Sequence, residues 1–181
     1  MLELLESLLD EPAAVPGEYT LVRVSRRAMA TAFEVAIPQG SHPDAIAAAE
    51  DALDLIDELE DQMTVFRDTS EVSRINATAS QQPVPVEAKL FELFQRCAAW
   101  TRETAGAFDI ATGALTKAWG FYRRDGQVPL PRDRNKAMAR TGMKHAILAS
   151  RERKRPESGT VKFRIPGVEF NLGAVGKGYA L

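Results

Sequence analysis

Cysteine is almost absent from these 181 residues: Cys97 stands alone, so no disulfide can form within the chain and cysteine usage fixes no compartment. It lies in the apolar stretch LFELFQRCAAW, where a buried thiol is the natural reading. Histidine is nearly as scarce. His42 and His145 are far apart and in no ligand spacing, which argues against a zinc site. No charge of one sign dominates, since Lys+Arg 23 against Asp+Glu 25 leaves a net charge of −2, and a general nucleic-acid surface is not expected. No apolar run approaches the ~18 residues of a membrane helix, so no membrane span is expected. The N-terminus MLELLESLLDEPAAVPGEYT is acidic and leucine-rich and lacks the basic start, apolar run and small-residue cleavage site of a signal peptide. As written, the chain reads as cytoplasmic. Without a secretory context the sequon Asn76-Ala77-Thr78 carries no weight. Internal repeats, low-complexity linkers and a dinucleotide fingerprint are also lacking.

What is present is an ordinary globular composition, 45% apolar and 27% charged, with length for one core or one domain plus part of a second. Residues 3–10 read as a short amphipathic helix stopped before Pro12 and Pro16. Thr20 to Ile37 reads as two strands, the second alternating Phe33, Val35 and Ile37 with Ala32, Glu34 and Ala36. From Asp44 onward Ile46, Ala49, Leu53, Ile56, Leu59 and Met63 recur at helical spacing, with Asp51, Asp54, Asp57, Glu58 and Asp61 on a solvated face rather than in a metal site. Met63 to Asn76 reads as a strand or loop, a polar turn and a short helix, and Gln81 to Pro85 as a loop. A second long helix spans about Glu87 to Thr104, with Gly106 in the C-cap position. Arg132 to Arg140 forms a surface helix closed by Gly142. Three strands follow, at His145–Ala149, Val161–Ile165 and Val168–Leu172, separated by the charged turn Arg151–Gly159 and the tight turn Pro166-Gly167. Arg151, Arg153, Lys154 and Arg155 then sit on a solvated hairpin tip.

The last eleven residues, NLGAVGKGYAL, carry most of the chemistry. Gly173, Gly176 and Gly178 surround Lys177, and Tyr179-Ala180-Leu181 reads as the first turn of a helix. Glycines allow positive φ and close approach of a ligand, and a helix start offers unpaired N–H groups to an anion. This is no P-loop: Asn171 stands at its first position at best, and Gly178 rather than a hydroxyl residue follows the lysine. A natural domain rarely stops on such a turn, so the chain reads as the front part of a longer protein.

Four segments in order, Met29-Ala30-Thr31-Ala32-Phe33, Met63 to Asn76 (MTVFRDTSEVSRIN), Gly106 to Gly113 with Trp119-Gly120, and Asn171 to Leu181, together resemble the FAD:protein FMN transferase (ApbE) family. The resemblance implies an α+β fold, ApbE-like and T-fold-like, with a mixed or antiparallel sheet packed with two long helices. It divides the chain into an extension, 1–18, and a flavin transferase domain, 19–181, truncated at its C-terminal end. It also implies FAD as substrate, Mg²⁺ as cofactor, and transfer of FMN to a Thr or Ser of a target flavoprotein. Family members are often exported.

By the same resemblance, Met29 packs on the flavin and Phe66 takes an aromatic position beside it. Ala107, Phe108 and Asp109 contact FAD, as do Asn171 and Lys177, and Ala174 is a metal-ligand position acting through its carbonyl. No catalytic base is assigned. On their own terms, Met29 and Phe66 also read as core residues, Asp109 as an N-cap and Lys177 as a solvent-facing lysine. Three departures from the family pattern stand out: Ala30 for glycine, Phe66 for the common tyrosine, and Asn171 for aspartate. They leave open a flavin-binding relative that no longer transfers, and a hydrolase giving FMN and AMP. The fragment by itself is expected to be inactive, because the downstream aspartate and Thr/Ser turn that complete the family's metal site lie outside it.

Overall fold

The computed structural model describes residues 20–123, 125–152 and 155–181. The helix expected at 3–10 and the basic side chains of Arg151, Arg153, Lys154 and Arg155 lie outside the described residues. The chain divides into two compact units, the boundary falling between Asp54 and Leu55.

In the first unit, β1 (Leu21–Ala28) and β2 (Thr31–Pro38) pair antiparallel from Leu21↔Pro38 to Ala28↔Thr31. Phe33 is buried while Ala32, Glu34 and Ala36 are exposed, the alternation a half-buried strand requires. Only Met29 and Ala30 connect the strands, at φ 49° and 59°. Two consecutive left-handed residues are the turn whose twist suits a hairpin, normally made with Asn-Gly. Ala30 therefore takes a conformation that its methyl group disfavours.

The long helix α1 (Ala45–Met63) contains the unit boundary. In the second unit, α2 (Glu71–Thr78) starts at Ser70, whose Oγ accepts from Ser73 N at 2.9 Å. This buried serine also donates to Thr64 O. β3 (Val84–Val86) leads into α3 (Ala88–Glu103). The short helices α4 (Gly113–Ala118) and α5 (Pro131–Met138) precede β4 (Ala146–Glu152) and β5 (Arg155–Phe163), and α6 (Gly176–Ala180) comes last. The second sheet is antiparallel with order β3-β5-β4. Phe91, Phe94, Phe163 and Phe170 are fully buried, with Phe170 centred 5.0 Å from both Phe94 and Phe163. Burying each such ring contributes roughly 1.5–3 kcal/mol. Gly159 of β5 makes room for one of them, since a Cβ there would lie 2.2 Å from Phe91.

The α+β class, the antiparallel pairing and the two long helices agree with expectation, and four local readings are corrected. The residues expected as the charged turn Arg151–Gly159 mostly extend β4 and β5, which pair as far as Glu152↔Arg155. Val84 and Pro85, read as the end of the loop from Gln81, belong to a strand, Val84–Val86: Pro85 is tolerated because β3 is an edge strand. At the end of α3 Ala105 (φ 51°) and Gly106 (φ 85°) are both left-handed, and Ala105 rather than Gly106 takes the first cap position. Ala105 N donates to Arg102 O and Gly106 N to Thr101 O, which closes the helix as a Schellman motif. Val168–Leu172 is an extended run outside both sheets.

Candidate functional site

That run is held by three different partners. Val168, Phe170 and Leu172 are buried, which turns Glu169 and Asn171 to the opposite face. Asn171 N donates to Ile110 O at 2.8 Å, and Gly113 N donates to Glu169 O at 3.0 Å. Gly113 has to be glycine: a Cβ would meet Glu169 Cβ at 2.6 Å and Glu169 O at 2.9 Å. Between these bonds, Asn76 Nδ2 donates to Phe170 O at 2.9 Å and Phe170 N donates to Asn76 Oδ1 at 2.7 Å. One amide side chain thus replaces a neighbouring strand. Asn76 ends the motif SEVSRIN, but nothing local in that motif reveals its partner.

Asp109 is a brace. Oδ1 accepts from Ala111 N at 2.7 Å and Oδ2 from Met143 N at 2.8 Å, while Gly142 N donates to Ala111 O at 2.9 Å. Both carboxylate oxygens are thereby committed to the backbone. Gly142, at φ 116°, brings Met143 into place. Next to it, Phe108 meets Trp100 edge-on at 5.9 Å, and Ala107 is exposed.

On the Glu169/Asn171 face lies a cleft of about 370 Å³ lined by Lys117, Gly120, Tyr122, Arg123 and Gln127. Lys117 Nζ is 2.7 Å from both Glu169 carboxylate oxygens, with hydrogen-bond geometry at Oε1 only, and 5.1 Å from the centre of the Tyr122 ring. Tyr122 Oη is buried without a hydrogen-bond partner. Burial, with the negative charge of Glu169, pushes the phenol up to about 12, and Asn171 offsets this in part. The other face of the cluster is Phe66, 71% exposed, its ring 5.4 Å from that of Tyr122. Neither Tyr122 nor Lys117 was singled out by sequence reasoning. Lys117 reads as a surface lysine, and Tyr122 gains its surroundings only through the fold.

Asn171 Oδ1 accepts from Gly173 N at 2.8 Å, a turn that an aspartate would make equally well. Gly173, Gly176 and Gly178 are not among the positive-φ residues, so no unusual backbone requires them; a Cβ at Gly173 would lie 3.0 Å from Asn171 Oδ1, and one at Gly178 would meet nothing within 4 Å. Ala174 and Lys177 are exposed, and Lys177 sits in the first turn of α6. No group of three or more His, Cys, Asp or Glu able to hold a metal occurs among the described residues. No helix among them is long and apolar enough to cross a membrane.

The second unit therefore brings Phe66 and Asn171 together around Tyr122 and ties the Ala107–Asp109 loop to the same run through Ile110. Asp109 itself points to Met143, and Met29 belongs to the first unit. Segments from four places in the sequence thus meet on an α+β frame beside a cleft that Tyr122 helps to line. Residues 29–181 match the ApbE family model, and the chain belongs to that family. A relative from Klebsiella pneumoniae, FAD:protein FMN transferase, is 34% identical over 77% of this chain and 42% of its own length. One of the same name from Treponema pallidum is 31% identical over 74% of this chain and 36% of its own. Among solved structures, the flavin transferase ApbE from Vibrio cholerae superposes with TM-score 0.76 at 27% identity, covering 90% of this chain and 51% of that one. The chain thus spans about half, or less, of the relatives it matches.

Proposed function

We propose that the full-length protein is an FAD:protein FMN transferase. A Thr or Ser hydroxyl oxygen of a target flavoprotein attacks the phosphorus of the FMN half of FAD. The bond to the bridging oxygen breaks, AMP leaves with that oxygen, and the hydroxyl proton is lost. The observation that carries this reading is the family match from residue 29 to residue 181. The names of the relatives support it, as does the Asn171–Gly173 turn, which keeps the backbone shape that an aspartate would give.

In this reading the exposed Phe66 ring receives the flavin, the loop braced by Asp109 and the Asn171 turn line the nucleotide, and Lys177 faces its phosphates. Mg²⁺ dependence is part of the proposal, since a divalent cation offsets charge on a pyrophosphate. Such a cation wants about six oxygen ligands, and Ala174 offers one backbone carbonyl. The described residues alone do not assemble that site, so its other ligands must come from elsewhere in the full-length protein.

The test is to incubate full-length protein, FAD, Mg²⁺ and a candidate flavoprotein, then measure AMP and protein-bound FMN. The transferase reading expects both in equal amounts, and neither after chelation. AMP with free FMN and no adduct would replace it with hydrolysis; bound FAD without AMP would replace it with a carrier role.

A further inference from the structure

We infer that Asn76 is a positioning residue for FAD: through α2 it fixes the Asn171 turn against the segment that carries Phe66. This rests on the transferase reading, which puts both segments on the dinucleotide, and adds to it the residue that sets their spacing. α2 is tied down at both ends. At its start the buried Ser70 donates from Oγ to Thr64 O, and Ser70 N donates to Arg67 O at 3.1 Å, so the segment bearing Phe66 closes onto the helix. Within that segment Phe66 N donates to Thr64 Oγ1 at 3.2 Å. About 9 Å further along the helix, Asn76 holds Phe170 by both its N–H and its C=O. One bond would let the run pivot; two bonds from one planar amide fix its direction as well as its place. Val168–Leu172 belongs to neither sheet, so no strand ladder does this for it. The carbonyl that Asn76 holds is part of the peptide joining Phe170 to Asn171. A shift there passes directly to Asn171, whose Oδ1 shapes the Gly173 turn.

Two variants separate positioning from mere support of the fold. In Asn76→Asp the ionised carboxylate still accepts from Phe170 N but sets a lone pair against Phe170 O; a proton on that oxygen restores the missing donor. Asn76→Gln carries the same amide one methylene further out, so it satisfies Phe170 only by displacing the run. Both are made in the full-length protein, alone and together with Asn171→Ala. FAD affinity is followed by flavin fluorescence between about pH 5 and about pH 8, a range that spans a carboxyl raised by burial, with urea midpoints checking that each protein is folded. Asn76→Asp should bind FAD about tenfold more weakly than the parent at the upper pH and recover most of that loss at the lower. Asn76→Gln should stay folded yet bind about tenfold more weakly throughout. In the Asn171→Ala background each should cost less than about twofold, because the turn through which Asn76 acts is already lost. Folded variants that bind FAD as the parent does, or that lose the same factor with and without Asn171, would reduce Asn76 to a support of the fold and leave the transferase reading standing. Parent protein that neither binds FAD nor releases AMP would overturn both readings.

Discussion

Asp109 shows how a single carboxylate can be read two ways until its partners are known. By sequence it stands among uncharged neighbours and invites a ligand; in the fold both oxygens accept backbone N–H groups. Asp109→Ala leaves Ala111 N and Met143 N unpaired, at ~1–3 kcal/mol for each part-buried group. Urea unfolding should show a loss of about 2–4 kcal/mol, partly restored in Asp109→Asn, and FAD affinity should fall with it. Lost affinity with an unchanged midpoint would instead make Asp109 a direct ligand contact. Ala30, at φ 59°, makes the opposite case. Ala30→Gly should stabilise by about 1 kcal/mol, because the left-handed region costs glycine nothing extra. Two buried groups also set the alkaline limit. Burial pushes Cys97 up to about 11, and Tyr122 is held up to about 12. In each, the folded state keeps its proton where the unfolded chain has lost it, so this contribution is whole below the unfolded pKa and declines as pH rises through the folded one. Stability should fall from about pH 9 upward, and Cys97→Ala should flatten the start of that fall in a melting series against pH.

At the scale of elements, what is local was legible and what is distant was not. The two long helices announce themselves by apolar positions three and four apart, and the Schellman ending of α3 comes within a residue of its expected place. Val168–Leu172 alternates as a strand does, yet its partners are the Ile110–Gly113 segment and Asn76, a residue 94 positions away. No pattern within five residues can encode that. Likewise the charged stretch after Ser150 looks like a turn, but charge does not prevent backbone pairing, and β4 and β5 continue through it. Asn76→Leu should cost roughly 2–5 kcal/mol, because it strands the N–H and C=O of the fully buried Phe170. Gly113→Ala should displace Glu169, destabilise by about 1–3 kcal/mol and disturb the Lys117–Glu169 pair, visible as a changed Tyr122 titration.

For the molecule as a whole, the Phe66–Tyr122–Asn171 cluster lies within the second compact unit alone, and the matched relatives are about twice as long as the chain. Four short segments name candidate flavin positions, but the candidate metal position at Ala174 offers one carbonyl with no cluster of carboxylates around it among the described residues. Residues 1–181 alone should therefore release no AMP from FAD, with or without Mg²⁺. The most direct test of the central claim is a stoichiometric one on the full-length protein, with AMP by chromatography and FMN on the acceptor by mass spectrometry after one incubation with FAD, Mg²⁺ and a flavoprotein target. The account predicts one AMP for each FMN joined to a Thr or Ser; FAD recovered intact from a protein that is folded and saturated with Mg²⁺ would contradict it.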